Sequence, residues 1–288
     1  MYEAPILLLD VAVIEAMQTG GVRLEALQLG VGADADGLVE ARDDGAGIED
    51  VGLDFLVHFK TLVGVGLLQS FVHEVVDVFV GVMGSVACGK STLGKVFLCE
   101  YPYKGSIKIA GNELSELDDE KKAGFVAYLG HDPELFNDTV KNNILMGDDK
   151  DVAKLLKAVC FDEEVNEMEN RQDTYVGNTG VRLSGGQAQR LALARTLCHK
   201  KPLIILDDPF SALDKDTERE VFANLKEYTK DCIVILISHR LYLFPQMDKV
   251  IWLENGKTIA GTHDEIMNKC PQYAVLYNEQ KGGASDEE

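Results

Sequence analysis

Basic residues are scarce in this sequence. Only 28 Lys and Arg stand against 48 Asp and Glu, a net charge of −20 at pH 7. Such a field repels phosphate backbones and argues against a nucleic-acid partner, although a local nucleotide site built from a few placed groups remains compatible with it. Paired cysteines are lacking. Cys88, Cys99, Cys160, Cys198, Cys232 and Cys270 are scattered without a C-x-x-C spacing, which fits a reduced, cytosolic chain better than a disulfide framework. Long apolar runs are lacking too. The most apolar stretch, Thr61 to Gly84, is broken by Gln69, His73, Glu74 and Asp77 and is too polar to span a bilayer. If the protein works at a membrane, another chain supplies the membrane part. Met1-Tyr2-Glu3 lacks the basic start of a signal peptide, and no internal repeat is present.

The charge is unevenly spread. Residues 1–80 hold 14 acidic and 3 basic residues, and the remainder holds 34 acidic and 25 basic. Residues 1–77 form an atypical region, rich in Val, Gly, Leu and Asp and weakly periodic. Within it, Gly30 to Asp50 reads as loop or disorder. Asp43-Asp44-Gly45-Ala46-Gly47 fits a short D-x-G-x-G nucleotide pattern but reads as a flexible turn. This composition is consistent with a foreign stretch or non-native reading frame; a divergent β-subdomain and an unrelated small domain are the alternatives. Residues 282–288 form an acidic tail.

From residue 78 onward, apolar strands alternate with amphipathic helices. Phe79–Met83, Ser106–Ile109, Phe125–Leu129, Leu203–Leu206, Ile233–Ile237 and Lys249–Leu253 read as strands. Gln187–Cys198 and Thr217–Tyr228 read as helices. The continuous apolar runs are those of buried parallel strands, so the pattern predicts an α/β fold with a parallel sheet covered on both faces.

Three motifs carry chemistry. Gly84-Ser85-Val86-Ala87-Cys88-Gly89-Lys90-Ser91 fits G-x-x-x-x-G-K-[ST] after an apolar strand, with a helical pattern starting near Ser91 and Thr92. Glycines let the backbone curl so that its N–H groups face a phosphate, and the helix N-terminus adds a favourable dipole. Lys90 neutralises phosphate oxygens, and the Ser91 hydroxyl ligates Mg²⁺. Leu203-Ile204-Ile205-Leu206-Asp207-Asp208 ends an apolar strand in two carboxylates, at the sheet edge where parallel sheets bind ligands. There Asp207 suits Mg²⁺ and Asp208 suits a base for an attacking water. Leu183-Ser184-Gly185-Gly186-Gln187 opens an apolar helix with a serine and two glycines, a second anion-binding arrangement.

With this last motif the chain resembles the ABC ATPase family, whose signature is L-S-G-G-Q. The resemblance covers nearly everything from Phe79 to about Lys281. It implies a P-loop NTPase core with a helical subdomain at about residues 132–195, and ATP and Mg²⁺ as cofactors. Leu183 to Gln187 would grip ATP held by a second cassette. Pro209-Phe210-Ser211-Ala212-Leu213-Asp214 resembles the D-loop between the two sites. His239 matches the switch histidine, so catalysis would rest on Asp208, His239 and Lys90. Asp132 to Val140, with Asn143 and Ile144, resembles the exporter class, which implies a transmembrane-domain partner and a peripheral place on the cytoplasmic face of the membrane. Three departures from the pattern stand out; one, Ala87 and Cys88 where many members have small residues, often glycine, should be tolerated, and the other two bear on the chemistry. Asp208 replaces the usual glutamate, one methylene longer, and His131 stands where a glutamine contacts Mg²⁺ or water. Together they resemble the degenerate half of a heterodimeric exporter, with a slow site of its own and an intact signature for a partner cassette. The adenine-stacking aromatic would fall at Phe55, Phe59 or Phe71, with Phe59 the weak choice. The alternatives are a soluble non-transport ABC ATPase and a truncated cassette with impaired hydrolysis.

Overall fold

The computed structural model describes residues 78–101, 103–105, 107–109, 112–177, 179–254 and 257–282. Earlier in the chain it describes only the backbone of two short strands, Val13–Ile14 and Val57–Lys60. The second of these pairs in parallel with Tyr103–Gly105. The expectations for Gly30–Asp50, for Asp43–Gly47, for Phe55 and Phe71, for the side chain of Phe59 and for the acidic tail lie outside the described residues.

The core is a six-stranded sheet. Its strands are β1 (Val78–Gly84), β2 (Val126–Leu129), β3 (Leu203–Asp207), β4 (Ile233–Ile237), β5 (Lys249–Glu254) and β6 (Lys257–Gly261). They lie in the order β6-β5-β1-β4-β3-β2. Every neighbouring pair is parallel except β5 and β6, which close the sheet as an antiparallel hairpin. Two expected elements differ from what forms. Of the expected strand over Ser106–Ile109, Ser106 lies outside the described residues, Ile107 falls outside a strand, and Lys108–Ile109 forms a two-residue strand paired with Asn112–Glu113. Phe125 ends a helix instead of starting β2.

Alternate side chains of each strand enter different halves of the core, as a strand's period of two requires. Val80, Val82, Leu203, Ile205, Ile235 and Ile237 pack on one face with Leu93 and Val96 of helix α1 (Lys90–Val96). Phe79, Met83, Ile204, Leu206, Val234 and Leu236 pack on the other. Their partners there come from α6 (Gly185–Cys198), which contributes Leu191, Ala194 and Leu197, and from α7 (Lys215–Tyr228), which contributes Val221, Phe222 and Leu225. Four shorter helices lie between α1 and α6: α2 (Asp119–Phe125), α3 (Val140–Leu145), α4 (Val152–Ala158) and α5 (Asp162–Glu167). Helices α3 to α5 lie between β2 and α6 along the chain.

The topology places the ends that matter. From β1 the chain crosses to β2 at the far edge. It then returns through β3 and β4 to β1, and continues on the other side of β1 with β5. The order therefore reverses at β1, and the loop after β1 opens at that switch point, the usual ligand crevice of an open parallel sheet. Asp207 is in register with Ile237, which is in register with Val82, so β1, β3 and β4 end at one edge.

Candidate nucleotide site

The loop from Gly84 to Lys90 leaves β1 through positions that demand glycine. A Cβ on Gly84 would lie 2.0 Å from the backbone oxygen of Leu253. Gly89 caps α1 with φ +94°, a conformation glycine adopts without steric cost, and Ala87 is also left-handed at φ 61°. The result is a tight cradle around Lys90. Its ammonium donates to the carbonyls of Gly84 (3.1 Å) and Ser85 (2.8 Å) and lies 3.8 Å from Cys88 Sγ. Lys90 is only 7% exposed, and among the described residues no carboxylate pairs with it. A buried cation held by carbonyl dipoles and a thiol is a costly arrangement that an anion would relieve. Val86, at the crest of the loop, is exposed, and Ser91 on the first turn of α1 is exposed while Thr92 beside it is half-buried.

The acidic edge is built by β3. Asp207 is buried, and the Tyr128 hydroxyl donates to its Oδ2 at 3.1 Å. Burial and the Asp207 charge push the Tyr128 phenol well above its ordinary value, so this hydroxyl stays a donor. A serine hydroxyl and a carboxylate are the hard oxygen donors that suit Mg²⁺, so the chemistry of the pair fits that ion. Asp208, next in the chain, has φ 50°, an uncommon backbone for a side-chain-bearing residue. Three hydrogen bonds hold it there: its N–H donates to Ile237 O (2.7 Å), and its carbonyl accepts from Gln189 Nε2 (2.9 Å) and Ser211 N (3.2 Å). His131, after β2, brings Nδ1 to 3.8 Å from Asp208 Oδ2. His239 follows β4 with an exposed side chain; its carbonyl accepts from Gln280 Nε2 at 2.8 Å. Among the described residues no hydrogen bond or ion pair joins His239 to Lys90 or Asp208.

The Leu183–Gln187 segment opens α6. Ser184 is its N-cap and forms a capping box: Gln187 N donates to Ser184 Oγ (3.2 Å), and Ser184 N donates to Gln187 Oε1 (2.8 Å). The Gln187 amide also donates to Glu164 on α5 at 2.7 Å, and Glu164 in turn pairs with Arg190. Leu183 packs partly against the core, leaving Ser184 and Gly185 exposed. The two glycines are not equivalent. A Cβ on Gly185 would make an ordinary 3.6 Å contact with Ala212, whereas one on Gly186 would lie 2.8 Å from Ala212 O.

Several residues of this site escape a motif reading. Tyr128 is an ordinary strand tyrosine by sequence. Gln189 is a buried amide between Gln187 and Arg190 on α6, and its polar neighbours in sequence leave nothing to single it out. Arg240 follows His239 and donates to the carbonyls of Ser211 (3.1 Å) and Leu213 (3.0 Å) while pairing with the fully buried Glu218.

Strand order, switch-point loop and buried lysine are those of the P-loop nucleotide-binding proteins, and that is the class of this fold. Within the class the family follows from comparison. The ABC transporter family matches residues 77–211, and this chain carries an ABC transporter ATP-binding domain. It is 33% identical over 208 residues to the putative export ATP-binding/permease protein RT0691 of Rickettsia typhi, covering 70% of this chain and 36% of the relative. It is 36% identical over 213 residues to the ATP-dependent lipid A-core flippase of Vibrio parahaemolyticus, again 70% of this chain and 36% of the relative. A bacterial Atm1-family ABC exporter with ATP bound superposes with a TM-score of 0.67 at 29% identity, covering 71% of this chain and 37% of that one. The chain thus spans little more than a third of the length of these relatives. Among the described residues no helix is long and apolar enough to cross a membrane.

Proposed function

We propose that this cassette binds ATP with Mg²⁺ at the β1 loop and that binding and slow hydrolysis there drive export through a transmembrane domain. The observation that carries the reading is the buried Lys90, without a carboxylate partner among the described residues and cradled by Gly84 and Gly89 at the switch point. In this reading Lys90 and the N–H groups of Ser85 to Thr92 hold the phosphates. Ser91 and Asp207 hold Mg²⁺, with Tyr128 fixing the Asp207 carboxylate. Asp208 orients the attacking water, with His131 and His239 beside the reacting phosphate. Phosphoryl transfer at such a site is positioning and charge stabilisation, which these groups are suited to supply.

Ser184, Gly185 and Gly186 would contact the ATP of a second cassette, and the exposure of Ser184 and Gly185 at the start of α6 supports that role. The exporter names of the relatives favour export over a soluble role. The transmembrane partner, the cytoplasmic face of the membrane and the division into residues 1–77 and 78–281 belong to this same reading. Asp208 and His131 support the more specific view that the chain is the weaker half of a heterodimeric pair.

An ATPase assay of the chain and of Asp208→Glu tests the site. The reading expects low turnover rising about tenfold or more in the variant, since a displacement of ~1 Å in a reacting group costs ~100-fold. Brisk turnover by the unmodified chain with no gain in Asp208→Glu would contradict the slow-site view.

A further inference from the structure

We propose that Gln189 is a positioning residue: one buried amide fastens the backbone of Asp208 and the loop after it to the signature helix, so that nucleotide engagement at the chain's own site is felt at Ser184–Gln187. The inference rests on the nucleotide reading above and adds the physical link between its two halves.

Gln189 lies on α6, five residues beyond the N-cap Ser184, and is 3% exposed. All of its hydrogen-bonding capacity is directed at the 208–212 segment. Nε2 donates to Asp208 O (2.9 Å) and Ser211 Oγ (3.0 Å). Oε1 accepts from Ala212 N (3.1 Å) and lies within 3.4 Å of the Ser211 hydroxyl. The carbonyl it holds belongs to the residue with the left-handed backbone, so the amide helps fix the direction in which the Asp208 carboxylate leaves the chain. A second contact lies nearer the helix start, where Gly186 lets Ala212 O approach closely. The far side of the loop is gripped by Arg240, through the carbonyls of Ser211 and Leu213, and Arg240 is anchored by Glu218. The loop is therefore clamped between the signature helix and the segment that carries His239. Buried polar networks of this kind rigidify what they join. Movement of Asp208 toward a bound phosphate pulls directly on α6 through Gln189, and α6 begins at Ser184.

Hydrogen exchange on the full chain tests this, with Gln189→Met as the variant of similar shape that cannot make these bonds. In the unmodified chain, ATP with Mg²⁺ is expected to slow exchange in 84–92, 208–213 and 183–188. In Gln189→Met, calorimetry should give an ATP affinity within about threefold, because the β1 loop is untouched. Protection of 84–92 should persist, while the ATP-induced protection of 183–188 falls at least fivefold. If Gln189→Met fails to fold, Gln189→Glu replaces it; this variant keeps an acceptor for Ala212 N and loses the donors to Asp208 O and Ser211 Oγ. Undiminished protection of 183–188 in the variant, or protection of 84–92 without any at 183–188 in the unmodified chain, overturns the inference. If the unmodified chain shows no protection of 84–92 at saturating ATP, the nucleotide reading itself fails, and the inference falls with it.

Discussion

His131 Nδ1 lies 3.8 Å from Asp208 Oδ2, so the histidine that follows β2 and the carboxylate after β3 meet in space. Asp208 is largely buried, its side chain 15% exposed, while His131 is 54% exposed. Groups in contact do not respond independently to substitution. The expected outcome is that His131→Gln and Asp208→Glu are non-additive. His131→Gln alone changes turnover by less than about threefold, and the double variant exceeds the product of the single effects. ATPase rates of the four proteins of this cycle, at saturating ATP, check it. Strict additivity would mean that the two side chains act separately.

The signature glycines separate a folding role from a binding role. Gly186→Ala forces a methyl group against Ala212 O and is expected to destabilise by about 1–3 kcal/mol, the usual cost of overpacking. Gly185→Ala meets only an ordinary contact with Ala212 and should stay within about 1 kcal/mol of the unmodified chain, the cost of a residue change at an exposed helix start. Denaturant melts of both variants measure this. Equal destabilisation would show that the approach of the 209–214 loop to α6 is looser than these contacts imply.

A pH dependence follows from His263 on helix α8 (His263–Lys269). Burial holds its imidazole below the usual histidine value. The ring packs edge-on against Tyr277, and Nδ1 lies 2.7 Å from the Tyr273 hydroxyl. A group with a lowered folded-state value contributes stability above its unfolded value of about 6.5 and loses it as pH falls through the folded value. Thermal stability should therefore decline from pH 7.5 toward pH 5.5, and part of that slope should vanish in His263→Phe. Because Tyr273 loses a partner, the variant should also be about 1 kcal/mol less stable at pH 7.5. Thermal melts across this range decide it, and an unchanged slope in the variant would contradict the assignment.

Much of the fold is legible in the sequence because buried parallel strands leave continuous apolar runs. Ile204–Leu206 and Val234–Ile237 have no solvated face on which to alternate, and their length marks them as strands. The phosphate loop and the signature are legible for a different reason: both are local, and each is a run of backbone-permissive residues at the start of a helix. Residues that act across the chain are not legible in this way. Tyr128 meets Asp207 from 79 positions away, and Gln189 meets Ser211 from 22. Their chemistry is ordinary until the sheet brings them together. Ile107–Ile109 shows the opposite case, an alternating stretch of which only Lys108–Ile109 pairs, with Asn112–Glu113.

The central claim is that the β1 loop is an ATP site organised around a buried, anion-seeking lysine. The most direct test is calorimetry of the full chain with ATP and Mg²⁺, alongside Lys90→Ala. The account predicts saturable binding to one site per chain, weakened at least 100-fold in Lys90→Ala, a loss of about 2.7 kcal/mol. It also predicts little loss of thermal stability in the variant, since the substitution removes a buried charge held by two carbonyls and no carboxylate among the described residues. No binding at millimolar ATP, or equal affinity in the two proteins, would contradict it.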